Sequence, residues 1–142
     1  MDIIDSLNIS ASGLTAQRVR LQATSTNMAN ARTTRTEDGS HFQRRVPVFE
    51  SQSINSFGAA LDREMASVQV TDVHVYETEG IRRHDPSHPD ADDDGFVTYP
   101  DINILHEMVD MMSASRAYEA NTKAVDATLQ MARKALEISR ES

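Results

Sequence analysis

Carboxylates recur along residues 88–101, His-Pro-Asp-Ala-Asp-Asp-Asp-Gly-Phe-Val-Thr-Tyr-Pro-Asp, at a spacing that suits a hard cation. Counted from Asp90, the acids Asp90, Asp92 and Asp94 occupy the first, third and fifth places. Gly95 is sixth and Asp101 twelfth, close to a calcium-binding EF-hand loop. Such a loop needs a helix on each side and a bidentate carboxylate at its end. A helix can follow Asp101, but Pro86 and Pro89 prevent one from running into the loop, and the last ligand is Asp rather than Glu. A small calcium-responsive module built on residues 90–101 is therefore the alternative reading, beside a solvated acidic loop.

Other chemistry has less to stand on. His84 and His88 are four apart with Asp85 and Asp90 nearby, but that spacing presents two zinc ligands together only on a helix, which Pro86 interrupts. The chain has no Cys, so zinc–thiolate sites, disulfides and thiol nucleophiles are excluded. It holds no glycine-rich phosphate cradle and no Gly-x-Ser-x-Gly turn. Asp92-Asp93-Asp94 is a charge run, without the contrast of environments that divides two carboxylates into acid and base. The residues imply no enzyme and no cofactor.

The elements around this loop carry more information. Of 142 residues, 39% are apolar but only 5% aromatic, with no Trp, so any compact core is small. Residues 3–29 read as an amphipathic helix. Ile4, Leu7, Ala11, Leu14, Arg18, Leu21, Ser25 and Met28 alternate three and four apart, the seven-residue repeat of a coiled-coil seam. Asp2 and Asp5 favour its start, and Asn27 and Asn30 suit its end. Ile104, Met108, Met111, Ser115, Tyr118, Thr122, Val125, Leu129, Ala132 and Leu136 repeat the pattern, with Asp101 or Asn103 as the cap. Met131, beside this stripe, suits packing better than metal binding.

Between the helices the pattern changes. Val46-Pro47-Val48-Phe49 reads as an edge strand, since Pro cannot donate within a central ladder. Val68, Val70, Val73 and Val75 read as a second strand, whose register breaks at Thr71-Asp72 as a bulge would break it. Phe96–Tyr99 is a further candidate, and Gly39, Gly58, Gly80 and Gly95 mark turns. The expected fold is α+β: long N- and C-terminal helices pairing as an antiparallel coiled coil, with a small β-rich insert. The expected divisions are an N-terminal helix over 1–31, a β-rich middle over 32–100 and a C-terminal helix over 101–142.

Both stripes are interrupted by polar residues: Arg18 and Ser25 in one, Ser115 and Thr122 in the other. A hairpin of these two helices alone would set about 25 cal/mol per Å2 of apolar burial against roughly 1.5 kcal/mol of ordering per residue. That balance is marginal, and it points to packing against further helices. Net charge is −8, the wrong sign for a general nucleic-acid binder, although Arg32, Arg35, Arg44 and Arg45 form a local basic stretch. No apolar run is long enough to insert in a membrane. The start, Met-Asp-Ile-Ile-Asp-Ser-Leu, lacks the basic and apolar regions of a Sec signal.

Two stretches resemble a known family. Ser25, Asn27, Met28, Ala29 and Asn30 match the Ser-x-Asn-hydrophobic-Ala-Asn close of the first helix in bacterial flagellar axial proteins. Met108-Val109-Asp110-Met111, Ser115-Arg116 and Tyr118-Glu119-Ala120-Asn121 are similar to their closing helix. Most axial proteins carry Pro-Gly-Tyr soon after the first motif. This chain has Thr33-Thr34-Arg35-Thr36-Glu37-Asp38-Gly39, a departure that resembles subunits of the proximal basal-body rod. The resemblance implies a structural subunit that assembles with copies of itself and with other flagellar rod and basal-body axial proteins. Together they would form the periplasm-spanning shaft that carries torque to the hook. It also implies export through the flagellar type III apparatus without a cleaved signal. Assembly roles are implied for Leu7, Leu14, Leu21, Asn27, Met28 and Asn30 on the first helix. On the second they are implied for Met108, Met111, Tyr118, Asn121, Val125 and Leu129. In such a polymer, the acidic loop of 85–101 is expected to face the arginines of 32–45 on a neighbour.

Overall fold

A computed structural model describes residues 3–53 and 66–141, with side chains to residue 138. The turn expected at Gly58 and the contribution of Asp2 to the first cap lie outside the described residues. Helix α1 runs Ile3–Ala29, strands β1 and β2 Arg44–Ser53 and Ala66–Tyr76, strands β3 and β4 Ile81–His84 and Phe96–Tyr99, and helix α2 Ile104–Glu141. The architecture is α+β, with two long helices packed together and antiparallel strands inserted between them.

The two helix ends that face the β-rich insert have identifiable stops. At the close of α1 the Asn30 side-chain amide donates to the Thr26 carbonyl at 2.9 Å, and the Asn30 Oδ1 accepts from the Thr33 hydroxyl at 3.1 Å. The Thr26 carbonyl also accepts the Asn30 amide at 3.0 Å, so Asn30 grips the last turn through both backbone and side chain and ties it to the following loop through Thr33. At the start of α2 the Asn103 Oδ1 accepts the amides of Leu105 and His106 at 3.0 and 3.3 Å. Asn103, rather than Asp101, is thus the N-cap.

The helices are antiparallel. Asn27 meets Glu107, Arg20 meets Asp110, and Gly13 lies against Asn121. Their tight contact is made by small side chains. Ala16 and Ala23 of α1 and Ala114 of α2 are buried, and a Cβ added at Gly13 would sit 2.8 Å from the Asn121 amide nitrogen. On α2 the buried Glu107, Ala114 and Thr128 lie one residue before members of the four–three repeat, and on α1 the buried Ala16 and Ala23 lie two residues before Arg18 and Ser25. The reason is steric: Gly and Ala let two backbones approach, whereas a leucine at the same place would hold them apart. The larger side chains are thereby moved to the flanks of the seam.

Strands β1 and β2 form a long two-stranded ribbon, paired from Arg44 with Tyr76 to Ser53 with Ala66. Val48 pairs with Asp72 and Phe49 with Val70, which leaves Thr71 as the extra residue of a bulge where the valine pattern breaks. In a two-stranded ribbon every strand is an edge, so Pro47 is accommodated. The ribbon lies on α1, where the Val68 amide donates to the Ser12 hydroxyl at 3.1 Å.

Strands β3 and β4 form a second antiparallel hairpin, with Ile81 opposite Tyr99 and His84 opposite Phe96. The acidic segment is the loop of this hairpin. Gly95 turns it with φ of 78°, and the Asp85 amide closes it by donating to the Gly95 carbonyl at 2.9 Å. Val97, 1% exposed, and the buried Phe42 belong to the small apolar core at this end.

Candidate assembly interface

The side chains that would ordinarily fill a core are on the outside. Along α2, Leu105 is 71% exposed, Val109 65% and Met112 56%, with Ile104 and Met108 beside them. Their spacing of four and three places Leu105, Val109 and Met112 on one face, adjacent to the stripe of Ile104, Met108 and Met111. Two neighbouring apolar stripes make an arc too broad for one partner helix to cover. The register that puts Gly13 against Asn121 carries α2 roughly ten residues, about 15 Å, beyond the start of α1. Met131, Leu136 and Ile138 stand exposed near or on that extension. Ile3 and Ile4 are exposed at the same end.

The residues expected to act in assembly divide into three groups. Leu7, Leu14, Leu21 and Met28 are half-buried in a row along α1. On α2, Met111 and Val125 are half-buried, whereas Met108, Tyr118 and Leu129 are exposed. The others have identified partners in their own chain: Asn121 packs against Gly13, Asn30 caps α1, and Asn27 is buried. Sequence reasoning missed Leu105, Val109 and Met112. Their own four–three spacing was the available signal, masked by the equally regular stripe one position before it.

Asn27 belongs to a polar cluster that ties together the end of α1, the base of the ribbon and the start of α2. Its Oδ1 accepts the Arg45 amide at 2.9 Å. Its Nδ2 donates to the Arg45 carbonyl at 2.8 Å and to the Glu107 Oε2 at 3.1 Å. Arg44 Nε donates to the other Glu107 oxygen at 2.6 Å, and Glu107 is only 1% exposed. Asp110 continues the network, 3.8 Å from the Arg44 guanidinium and 3.2 Å from that of Arg20. A buried carboxylate requires such partners, because removing it from water costs several kcal/mol.

The acidic loop uses its best-placed carboxylates internally. Asp92 Oδ1 accepts the amides of Phe96 and Asp94 at 2.7 and 3.1 Å, and Oδ2 accepts from Arg82 at 2.7 Å. The Phe96 amide, followed by the Arg82 guanidinium, holds the Asp92 carboxyl below the ordinary aspartate range. The Ser87 hydroxyl does the same for Asp85. Asp90 accepts the Thr34 hydroxyl at 2.7 Å and lies 3.9 Å from Arg35. No group of three or more His, Asp or Glu among the described residues is arranged to hold a metal ion. Nothing in this geometry supports the calcium reading. The expected acidic–basic pairing between subunits is, for Asp90 with Arg35, made within one chain. Arg44 likewise turns to Glu107.

No helix among the described residues is long and apolar enough to cross a membrane. Residues 93–138 match the family model described as flagellar basal body rod FlgEFG protein C-terminal. The chain is similar over nearly its whole length to curated flagellar basal-body rod proteins FlgC. That of Borreliella burgdorferi is 37% identical, with 97% of this chain and 98% of the relative aligned. That of Bacillus subtilis is 38% identical over 99% and 100%. That of Salmonella typhimurium is 31% identical over 96% and 97%.

Proposed function

The chain belongs to the FlgC family of flagellar basal-body rod proteins, and we propose that it works as a structural subunit of the proximal rod, joined to its neighbours through its terminal helices. It is not an enzyme. Its role is mechanical: helix–helix contacts repeated over many subunits share the load as the rod carries torque to the hook. The observation that carries this reading is the division of labour along the helices. Small residues join α1 to α2 within the chain, and large apolar residues are left for other partners. An outward apolar arc of this kind marks a protein–protein contact surface.

The assembly surface comprises Leu7, Leu14, Leu21 and Met28 of α1 with Met108, Met111, Tyr118, Val125 and Leu129 of α2, extended by the outward Leu105, Val109 and Met112. Asn27, Asn30 and Asn121 serve it by fixing the ends and spacing of the helix pair. The partners are copies of this chain and other rod and basal-body axial proteins. Family membership supports a place in the periplasm-spanning rod and delivery by the flagellar type III export apparatus without a cleaved signal. The divisions at 31/32 and 100/101 separate the assembling arms from a middle region that sets their spacing.

Leu21→Asp tests the α1 part of this surface. The expected result is loss of rod assembly and motility while the β3–β4 hairpin keeps its amide-exchange protection. Normal motility would remove Leu21 from the interface.

A further inference from the structure

We propose that Arg44 and Glu107, with Asn27, form a register lock for the helix pair, holding α1 and α2 at one axial offset. The seam itself carries little register information. Its buried apolar positions are Ala16, Ala23 and Ala114, with Gly13 at the far end. Small side chains make shallow ridges, and a helix sliding by one heptad would again bring small or modest residues face to face. A buried polar group behaves differently. It tolerates only the offset at which its partner is present, and a single such position can fix helix register at a cost in stability.

The cluster has the properties this role requires. Glu107 is 1% exposed and receives Arg44 on one oxygen and Asn27 on the other. Asn27 is 1% exposed and is held independently by both backbone groups of Arg45, so its position is set by the base of the ribbon. The ribbon is in turn seated on α1 through Val68 and Ser12. Together, α1 and β1 form a fixed receptor into which one residue of α2 fits. A one-heptad slide of α2 toward its own N-terminus brings Ala114 to that place. Arg44 and Asn27 would then face a methyl group. The Arg20–Asp110 pair is about one-third exposed on both sides, so water can replace either partner and the pair discriminates less than the buried Glu107.

The test uses the full-length chain with spin labels on cysteines introduced at Thr15 and His106. Both positions are exposed, and the chain has no cysteine of its own. The labels are offset along the axis, so a heptad slide moves one past the other by about 10 Å. The parent is expected to give one narrow distance distribution. Arg44→Met/Glu107→Met removes both charges together, keeps Asn27 on Arg45, and is expected to add a second population displaced by several ångströms. A variant with the parent's single distribution would overturn the proposal, as would a parent that already shows two. Should the double variant lose its helical circular dichroism, Glu107→Gln takes the same measurement and is judged by the same two outcomes.

Discussion

Val109→Asp separates the fold of the subunit from its assembly. Val109 is 65% exposed in the single chain, so the substitution removes little buried area there. Exposed changes of this kind stay within about 0.5 kcal/mol. On the proposed reading, the same position meets a neighbour in the assembled rod. Burying the exposed two-thirds of a valine is worth about 1–2 kcal/mol. Forcing an unpaired carboxylate into that contact costs several kcal/mol more. A combined loss of about 4 kcal/mol lowers association between a hundredfold and a thousandfold for each such contact. Ala114→Asp is the control, because Ala114 is wholly buried against α1 and its replacement breaks the helix pair itself. The assay pairs circular dichroism of the purified chain with swimming motility and basal-body isolation from cells carrying only the variant. Val109→Asp should keep the parent's helical signal and lose the rod. Cells that swim normally on Val109→Asp would refute the assignment of this face.

Two further predictions concern the interior and the loop. Arg44→Ala strands Glu107 as a buried carboxylate with one amide partner and should cost about 3–5 kcal/mol in urea unfolding. Glu107→Ala frees an arginine that is already one-third exposed and should cost less, and the double variant should fall well short of the sum; equal costs would contradict the network. Asp92 titrates below its unfolded value, so its contribution to the β3–β4 loop is complete above the ordinary aspartate range and fades as pH falls through the lowered pKa. The protection factor of the Phe96 amide, its exchange relative to the unstructured rate at the same pH, should fall over that acid interval in the parent, and Asp92→Ala, which removes the acceptor, should show low protection at all pH values; a flat parent protection profile would dismiss the role of the carboxylate.

Where local pattern and tertiary need agreed, the fold was legible from the sequence. The broken valine alternation located the bulge at Thr71, and Pro47 marked an edge. The three- and four-residue repeats gave both helices and their antiparallel pairing. Strand β3 escaped because Ile81-Arg82-Arg83-His84 is exposed on both faces. No alternation marks it, and only pairing with Phe96–Tyr99 makes it a strand. The seam lies one residue before the repeat at Ala114 and two before it at Ala16 and Ala23, because hydrophobicity points to the large side chains, whereas close backbone approach selects the small ones. Burial of Glu107 had no local signal at all. Its partners lie 63 and 80 residues away in the chain, and the acid reads as an ordinary first-turn glutamate until the fold brings them together.

The most direct test of the account is a reconstruction of an isolated basal body that contains this chain. It should place the chain in the proximal rod, with Leu105, Val109 and Met112 of α2 packed against side chains of an adjoining subunit and the Asn27–Glu107–Arg44 cluster intact inside each copy. A rod without this chain, or one in which that face of α2 meets only solvent, would contradict it.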